Sequence, residues 1–293
     1  MSNRLLGAVE AGGTKMACAV AREPDKILEE TRFPTSEPEG TFAQVDAFFT
    51  QAEAKHGRVD ALGYGTFGPA GVNPAESTYG QILKTPKDGW EGVDVLGFLR
   101  EKFPKTKLAF DTDVNAAALG EGRYGAAQGL QDFIYITVGT GIGGGVVIDG
   151  KPLHAQPHAE IGHMRVPLLE GELDDFPGSC QFHGRCLEGL ASGTAIGARW
   201  GIPATELPKD HPAWDLEAGY LAAMVQNLVA CFAPQKIILG GGVMNQKFLL
   251  GKVKARYLAE MAGYWSGHED LLVLPELGNQ AGITGALIMA SSA

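Results

Sequence analysis

The chain has 293 residues, 45% of them hydrophobic, with 24 Lys and Arg against 34 Asp and Glu for a formal net charge of −10. That length suits two domains of ordinary size, and the acidic balance excludes general nucleic-acid binding, which needs a basic surface to neutralise phosphates. No stretch approaches the roughly 20 apolar residues of a membrane helix, no leader pattern precedes Leu5, and the four cysteines are too few for a disulfide scaffold. A cytoplasmic protein with a small-molecule partner, no nucleic acid and no membrane is therefore expected.

In chain order, apolar runs at residues 4–10 and 15–22, parted by Gly12-Gly13, and a third at 26–33 before Pro34 predict a three-strand meander. Phe42, Val45, Phe48, Phe49 and Ala52 recur at helical spacing over residues 41–55, and a strand is predicted at 61–66. Residues 68–90 are rich in glycine and proline without a sustained period, which predicts a segment wrapping round a cleft. A helix at 93–102, a short strand at 107–110 and an alanine-rich helix at 114–124 follow. Two further apolar runs, 133–138 and 143–148, are joined by Gly139-Thr140-Gly141-Ile142, much as Ala11-Gly12-Gly13-Thr14 joins the first two. Helices at 187–199, 215–232, 246–263 and 281–290 and strands at 236–239 and 271–274 complete the chain. The recurrence predicts two duplicated α/β domains around a central cleft, residues 1–115 and 116–293.

Both Gly/Thr turns lie between strands. Glycine lets a backbone come close to a ligand, and N–H groups and Thr hydroxyls are donors for phosphate oxygens, which makes Gly12, Gly13, Thr14, Lys15, Thr140 and Gly141 phosphate-binding candidates. The plain alternative is a pair of hairpins. Neither turn is a dinucleotide fingerprint, because a strand and not a helix follows Gly143, and no Gly-Lys-Ser/Thr ends a P-loop. Gly240-Gly241-Gly242, between a strand and a helix, suits contact with a flat adenosine, or is a simple strand-to-helix turn.

Asp111-Thr112-Asp113-Val114-Asn115 joins a strand to a helix. A carboxylate at such a junction can take a proton from an attacking hydroxyl, and Asp113 is the candidate general base. Helix capping accounts for one of these residues, though not for two Asp and one Asn in five positions.

His163, Cys180, His183 and Cys186 are metal-ligand types, and Cys-x2-His-x2-Cys is compact enough to wrap one tetrahedral ion. Four ligands would close the site and make a structural zinc; His154 or His158 could replace His163, and two free thiols with two surface histidines is the metal-free alternative. Glu160 and Glu188 bracket the cluster, and carboxylates placed by it can accept hydrogen bonds from sugar hydroxyls; ordinary solvent exposure is the plain alternative.

Together Glu10-Ala11-Gly12-Gly13-Thr14-Lys15, Asp113-Val114-Asn115, Gly139-Thr140-Gly141-Ile142-Gly143, Glu160-Ile161-Gly162-His163 and Cys180-Gln181-Phe182-His183-Gly184-Arg185-Cys186-Leu187-Glu188 resemble the ROK family (repressor, open reading frame, kinase) from residue 4 to about 290. Within it, Phe33-Pro34-Thr35, Phe67-Gly68-Pro69 and Thr85-Pro86-Lys87-Asp88-Gly89-Trp90 look most like the zinc-containing bacterial fructokinase branch. The resemblance implies an actin-like ATPase fold, ATP with Mg²⁺ as phosphoryl donor, and a hexose as acceptor, most like D-fructose going to fructose 6-phosphate. It also implies Asp113 as base, Glu160, His163 and Glu188 around the sugar, phosphates on the Gly/Thr turns, and zinc on His163, Cys180, His183 and Cys186. A kinase for glucose, mannose or an N-acetylated amino sugar is the nearest alternative. A sugar-sensing regulator would need an N-terminal DNA-binding domain, and with the turn beginning at residue 12 and an acidic net charge that reading is not the expected one. Glu10, where many members have Asp, and Thr112, in place of an amide residue, depart from the family pattern. Apolar residues expected at the surface around 67–90, together with the resemblance, favour a homodimer.

Overall fold

The computed structural model describes residues 4–154, 158–264 and 269–293. Its elements in chain order are β1 (Leu5–Ala11), β2 (Lys15–Glu23), β3 (Lys26–Pro34), α1 (Pro38–His56), β4 (Val59–Thr66), α2 (Val95–Lys102), β5 (Lys107–Thr112) and α3 (Asp113–Tyr124), then β6 (Phe133–Val138), β7 (Ile142–Ile148) and β8 (Lys151–Pro152). They continue with α4 (Leu187–Ala191), α5 (Gly193–Trp200), α6 (Ala213–Phe232), β9 (Lys236–Gly240), α7 (Phe248–Met261), β10 (Leu272–Val273) and α8 (Ala281–Ser292). One sheet has the order β3-β2-β1-β4-β5, with β1 antiparallel to β2 and parallel to β4. The other, read from β8, runs β8-β7-β6-β9-β10, with β6 antiparallel to β7 and parallel to β9. The two orders match strand for strand, so the duplication expected from the paired turns is present in the topology.

Side-chain alternation explains how the first sheet is covered. Leu5, Val9, Met16, Cys18 and Val20 belong to a core with Val45, Phe48 and Phe49 of α1 and Val95, Leu96 and Leu99 of α2. The intervening Leu6, Ala8, Ala17, Ala19 and Ala21 pack with Ile283, Ala286, Leu287 and Ala290 of α8. Alanine on that face lets α8 lie close. A Cβ added to Gly63 would fall 2.0 Å from the Ala286 carbonyl oxygen, and one added to Gly285 would fall 1.6 Å from that of Ala116 in α3. Backbone approaches of this kind leave no room for side chains.

This packing displaces the boundary expected at 115/116. One compact unit comprises Met1–Gly129, Pro152–Ala159 and Asn279–Ala293, and the other Leu130–Lys151 and Glu160–Gly278. α3 stays with the first sheet because α8 returns to pack on both.

Two further expectations are corrected. Residues 187–199 form two helices, because the chain turns at Ser192, whose Oγ accepts the Ala195 N–H at 3.1 Å and caps α5. The apolar residues of 67–90 are not at the surface: Phe67, Ile82 and Trp90 are buried, Trp90 packs edge-on to Phe42 and Phe67, and its indole N–H donates to the Ser36 carbonyl at 2.9 Å. The homodimer expectation then rests on the family resemblance alone.

Candidate active site

In the first unit, the turn between β1 and β2 is closed by the Gly12 N–H donating to the Lys15 carbonyl at 3.0 Å. Thr35 fastens it, its hydroxyl donating to the Gly12 carbonyl at 2.7 Å and its N–H to that of Thr14 at 3.0 Å. A Cβ on Gly12 would lie 2.8 Å from the Lys15 carbonyl oxygen, so the turn itself demands that glycine, whereas a Cβ on Gly13 meets nothing within 4 Å. Gly13, Thr14 and Lys15 are exposed. Glu10, at the end of β1, reaches the start of α8: its carboxyl lies over Gly282 and accepts the Ile283 N–H. Burial raises its pKa against the opposing charges of Arg32 and Lys15, and Oε2 is buried without a hydrogen-bond partner.

Thr112, not Asp113, caps α3, its Oγ1 accepting the Asn115 N–H at 3.1 Å. Asp113 is half-buried at the first helical position, with Oδ1 accepting the Val114 N–H at 2.8 Å. The capping explanation therefore belongs to its neighbour. Asp111 is buried, its Oδ1 accepting from the Thr112 N–H and the Asn115 amide, both at 2.7 Å, while Oδ2 meets His154 Nε2 at 2.6 Å.

In the second unit, the Gly139 N–H donates to the Gly141 carbonyl at 2.9 Å, and the start of α5 braces this turn. The Gly193 N–H donates to the Gly139 carbonyl at 2.7 Å, and the Thr194 hydroxyl to that of Thr140, also at 2.7 Å. Glu188 Oε2 accepts the Ile142 N–H at 3.0 Å, so the carboxylate chosen as a sugar ligand is also tied to the glycine turn. The three glycines of 240–242 are not alike. Gly240 is buried beneath the Tyr135 hydroxyl, Gly241 has a φ of 90° and abuts the Val138 backbone, and only Gly242 is exposed with nothing within 4 Å of its Cβ position. The first two are explained by the fold, which leaves Gly242 as the one open to a ligand.

His163, Cys180, His183 and Cys186 converge, with one donor atom from each lying within 4.8 Å of all the others. His163 Nδ1 stands 3.5 Å from Cys186 Sγ and 3.8 Å from Cys180 Sγ, and His183 Nδ1 is 3.8 Å from Cys180 Sγ. A tetrahedral zinc with Zn–S of about 2.3 Å and Zn–N of about 2.0 Å needs donor atoms about 3.3–3.8 Å apart, so the donor set fits that ion in chemistry, and these three N–S distances come close to its spacing. Burial lowers the pKa of His163, which favours the neutral ring that ligates, and pushes the Cys186 thiol up to about 11, with Cys180 beside it adding to the rise. His163 turns Nε2 toward Glu160, 3.9 Å from Oε2. Burial, and then the charge of Glu188, raise Glu160 to about 7. His154 and His158, the alternatives for the fourth ligand, serve elsewhere: His154 meets Asp111, and His158 Nε2 accepts the Ala70 N–H at 3.1 Å.

Thr194, Asp111 and His154 acquire their places only through these contacts. A Thr after a Gly at a helix start was the one available signal for Thr194, and the density of carboxylates around 111–115 the one for Asp111.

The sequence profile of the ROK family matches residues 6–293. The chain is 43% identical over 291 residues to a fructokinase of Pediococcus pentosaceus, covering 99% of this chain and 98% of that protein. It is 41% identical over 296 residues to a fructokinase of Zymomonas mobilis, covering 99% and 97%. The structure of a ROK family glucokinase from Streptomyces griseus in complex with glucose and AMPPNP superposes with a TM-score of 0.81 at 27% identity, covering 99% of this chain and all of that one.

Proposed function

The chain belongs to the ROK family, with its actin-like duplication of an α/β unit, and we propose that it transfers the γ-phosphoryl group of ATP to D-fructose, giving fructose 6-phosphate. The observation that carries the chemistry is Asp113, a half-buried carboxylate at the first position of α3 with capping left to Thr112. Phosphoryl transfer needs little covalent help from a protein; it needs an aligned hydroxyl, a group to take its proton, and donors around the phosphates. Asp113 takes the proton of the sugar hydroxyl. Glu160 and Glu188 accept hydrogen bonds from other hydroxyls and so choose which one faces the phosphate. The exposed Gly13, Thr14 and Lys15, together with Thr140 and Gly141, donate to phosphate oxygens, and Gly242 offers a flat surface to adenosine.

Mg²⁺ accompanying ATP would supply neutralisation of the phosphate charge. His163, Cys180, His183 and Cys186 would hold zinc, which four protein donors would make a closed, structural site. Its role would be to fix the loop from which Glu160 and Glu188 project. The choice of fructose follows the fructokinases that the chain resembles over nearly its whole length. A coupled ADP-release assay over fructose, glucose, mannose, N-acetylglucosamine and N-acetylmannosamine tests it. Fructose should have the highest kcat/KM; a higher value for another sugar reassigns the substrate, and no turnover with any of them removes the kinase reading.

A further inference from the structure

Asp113 is carried by a junction whose fastening runs through one buried carboxylate. Asp111 is 4% exposed, and a carboxylate taken out of water must be paired to remain there at tolerable cost. Its Oδ1 holds the Thr112 N–H and the Asn115 side-chain amide, the residues that flank Asp113 in the turn. Thr112 Oγ1 in turn holds the Asn115 N–H, so strand end and first helical turn are clipped together on both sides of Asp113. Oδ2 is left to His154, whose Nε2 approaches to 2.6 Å.

His154 comes from far along the sequence, in the segment Pro152–Ala159 that belongs to the first unit. The described end of that segment is fixed separately. His158 accepts the Ala70 N–H at Nε2, which places its own proton on Nδ1, and burial lowers its pKa. Among the described residues, His154, His158 and, from the loop after β4, Tyr79 feel the charge of Asp111, and Asp113 lies two residues along the chain. Of these His154 alone is hydrogen-bonded to the carboxylate, and that bond raises its pKa. The ring itself is 40% exposed, too open to matter for the core. Among the described residues, its hydrogen-bond partner is the carboxylate that shapes the turn of Asp113.

We propose that His154 is a positioning residue for phosphoryl transfer: through Asp111 it holds the β5–α3 junction so that Asp113 meets the sugar hydroxyl in reactive alignment. The proposal rests on the reading of Asp113 as general base. Without His154, Oδ2 of Asp111 loses its partner, the carboxylate reorients, and Oδ1 releases one or both of its clips. Misplacing a reacting group by about 1 Å costs on the order of 100-fold in rate, while substrate binding, made by other residues, is spared.

The test uses His154→Ala, His154→Gln and Asp113→Asn in the full chain, with kcat, KM for fructose and for ATP, and thermal melting measured on each. His154→Ala should lower kcat by about 10- to 100-fold with both KM values within about twofold and the melt little changed. Gln places an N–H donor where Nε2 stood, and His154→Gln should recover most of that loss. A kcat for His154→Ala within about twofold of the parent, beside an inactive Asp113→Asn, overturns the proposal and leaves the base reading standing. Equal loss in His154→Ala and His154→Gln with a lowered melt also overturns it, since the role is then only structural. Full turnover in Asp113→Asn overturns the base reading, and this proposal with it.

Discussion

Gly141→Ala tests the tie between the glycine turn and the sugar site. Gly141 lies outside the left-handed region, so alanine is compatible with its backbone, and the obstacle is contact. The new methyl would sit 2.5 Å from Glu188 Oε2 and 3.3 Å from its Cδ. Ordinary contact begins near 3.4 Å, so the carboxylate must withdraw by about 0.9 Å. The atom that yields is the end of a flexible side chain, so the fold survives. The hydrogen bonds of Glu188 do not, because a bond near 3.0 Å stretched by that amount passes the limit at which it counts as one. A hydrogen bond to a charged group contributes about 1.5–3 kcal/mol, so losing one from Glu188 to the sugar should raise the fructose KM by about 10- to 150-fold. The ATP KM should move far less. Initial rates with each substrate varied, beside a thermal melt, decide it. An unchanged fructose KM in a folded Gly141→Ala protein would refute Glu188 as a sugar ligand, and a collapsed melt would refute the claim that the side chain alone gives way.

Gly241→Ala and Gly242→Ala should part company. Alanine at 241 meets a φ of 90° and the Val138 backbone at 2.5 Å and should lower stability by more than about 1 kcal/mol, whereas at 242 it should leave the melt alone and raise the ATP KM; an unaltered ATP KM withdraws Gly242 from the adenosine site. Metal analysis should find about one zinc per chain, and Cys186→Ser should lose it and melt at lower temperature, because binding free energy at a structural site is folding free energy. A metal-replete preparation without zinc would return both cysteines to free thiols. The Asp111–His154 pair raises the folded pKa of His154, so its stabilisation is complete below the unfolded value of about 6.5 and disappears as pH rises through the higher folded value. His154→Gln should therefore melt below the parent in acid and level with it in alkali, by a fraction of a kcal/mol given the exposed ring, and a gap that widens with rising pH would contradict the pairing.

Much of this molecule is legible in its sequence. Strands β1, β2 and β6 follow from short apolar runs between glycine turns, and the long helices from apolar spacing, because burial of one face imposes a period that needs no knowledge of the partner. The zinc-type cluster was legible for a related reason: three of its ligands sit within seven residues, and a loop that short closes on itself. What escaped is non-local. The period of α8 marks it as buried without saying that it returns to the first sheet, since contact between Gly285 and Ala116 is a matter of topology. Likewise His154 read as a spare metal ligand, and only the fold brings it to Asp111, 43 residues away.

Residue chemistry by itself determined the glycine turns, the carboxylate at 113 and the His/Cys set, because each is written in neighbouring positions. Tertiary structure decided which glycines answer to packing and which stay open, gave the capping of α3 to Thr112, and tied Glu188 to Ile142. Those outcomes depend on distances between segments that meet only when the chain has closed its long loops, and no local spacing encodes them.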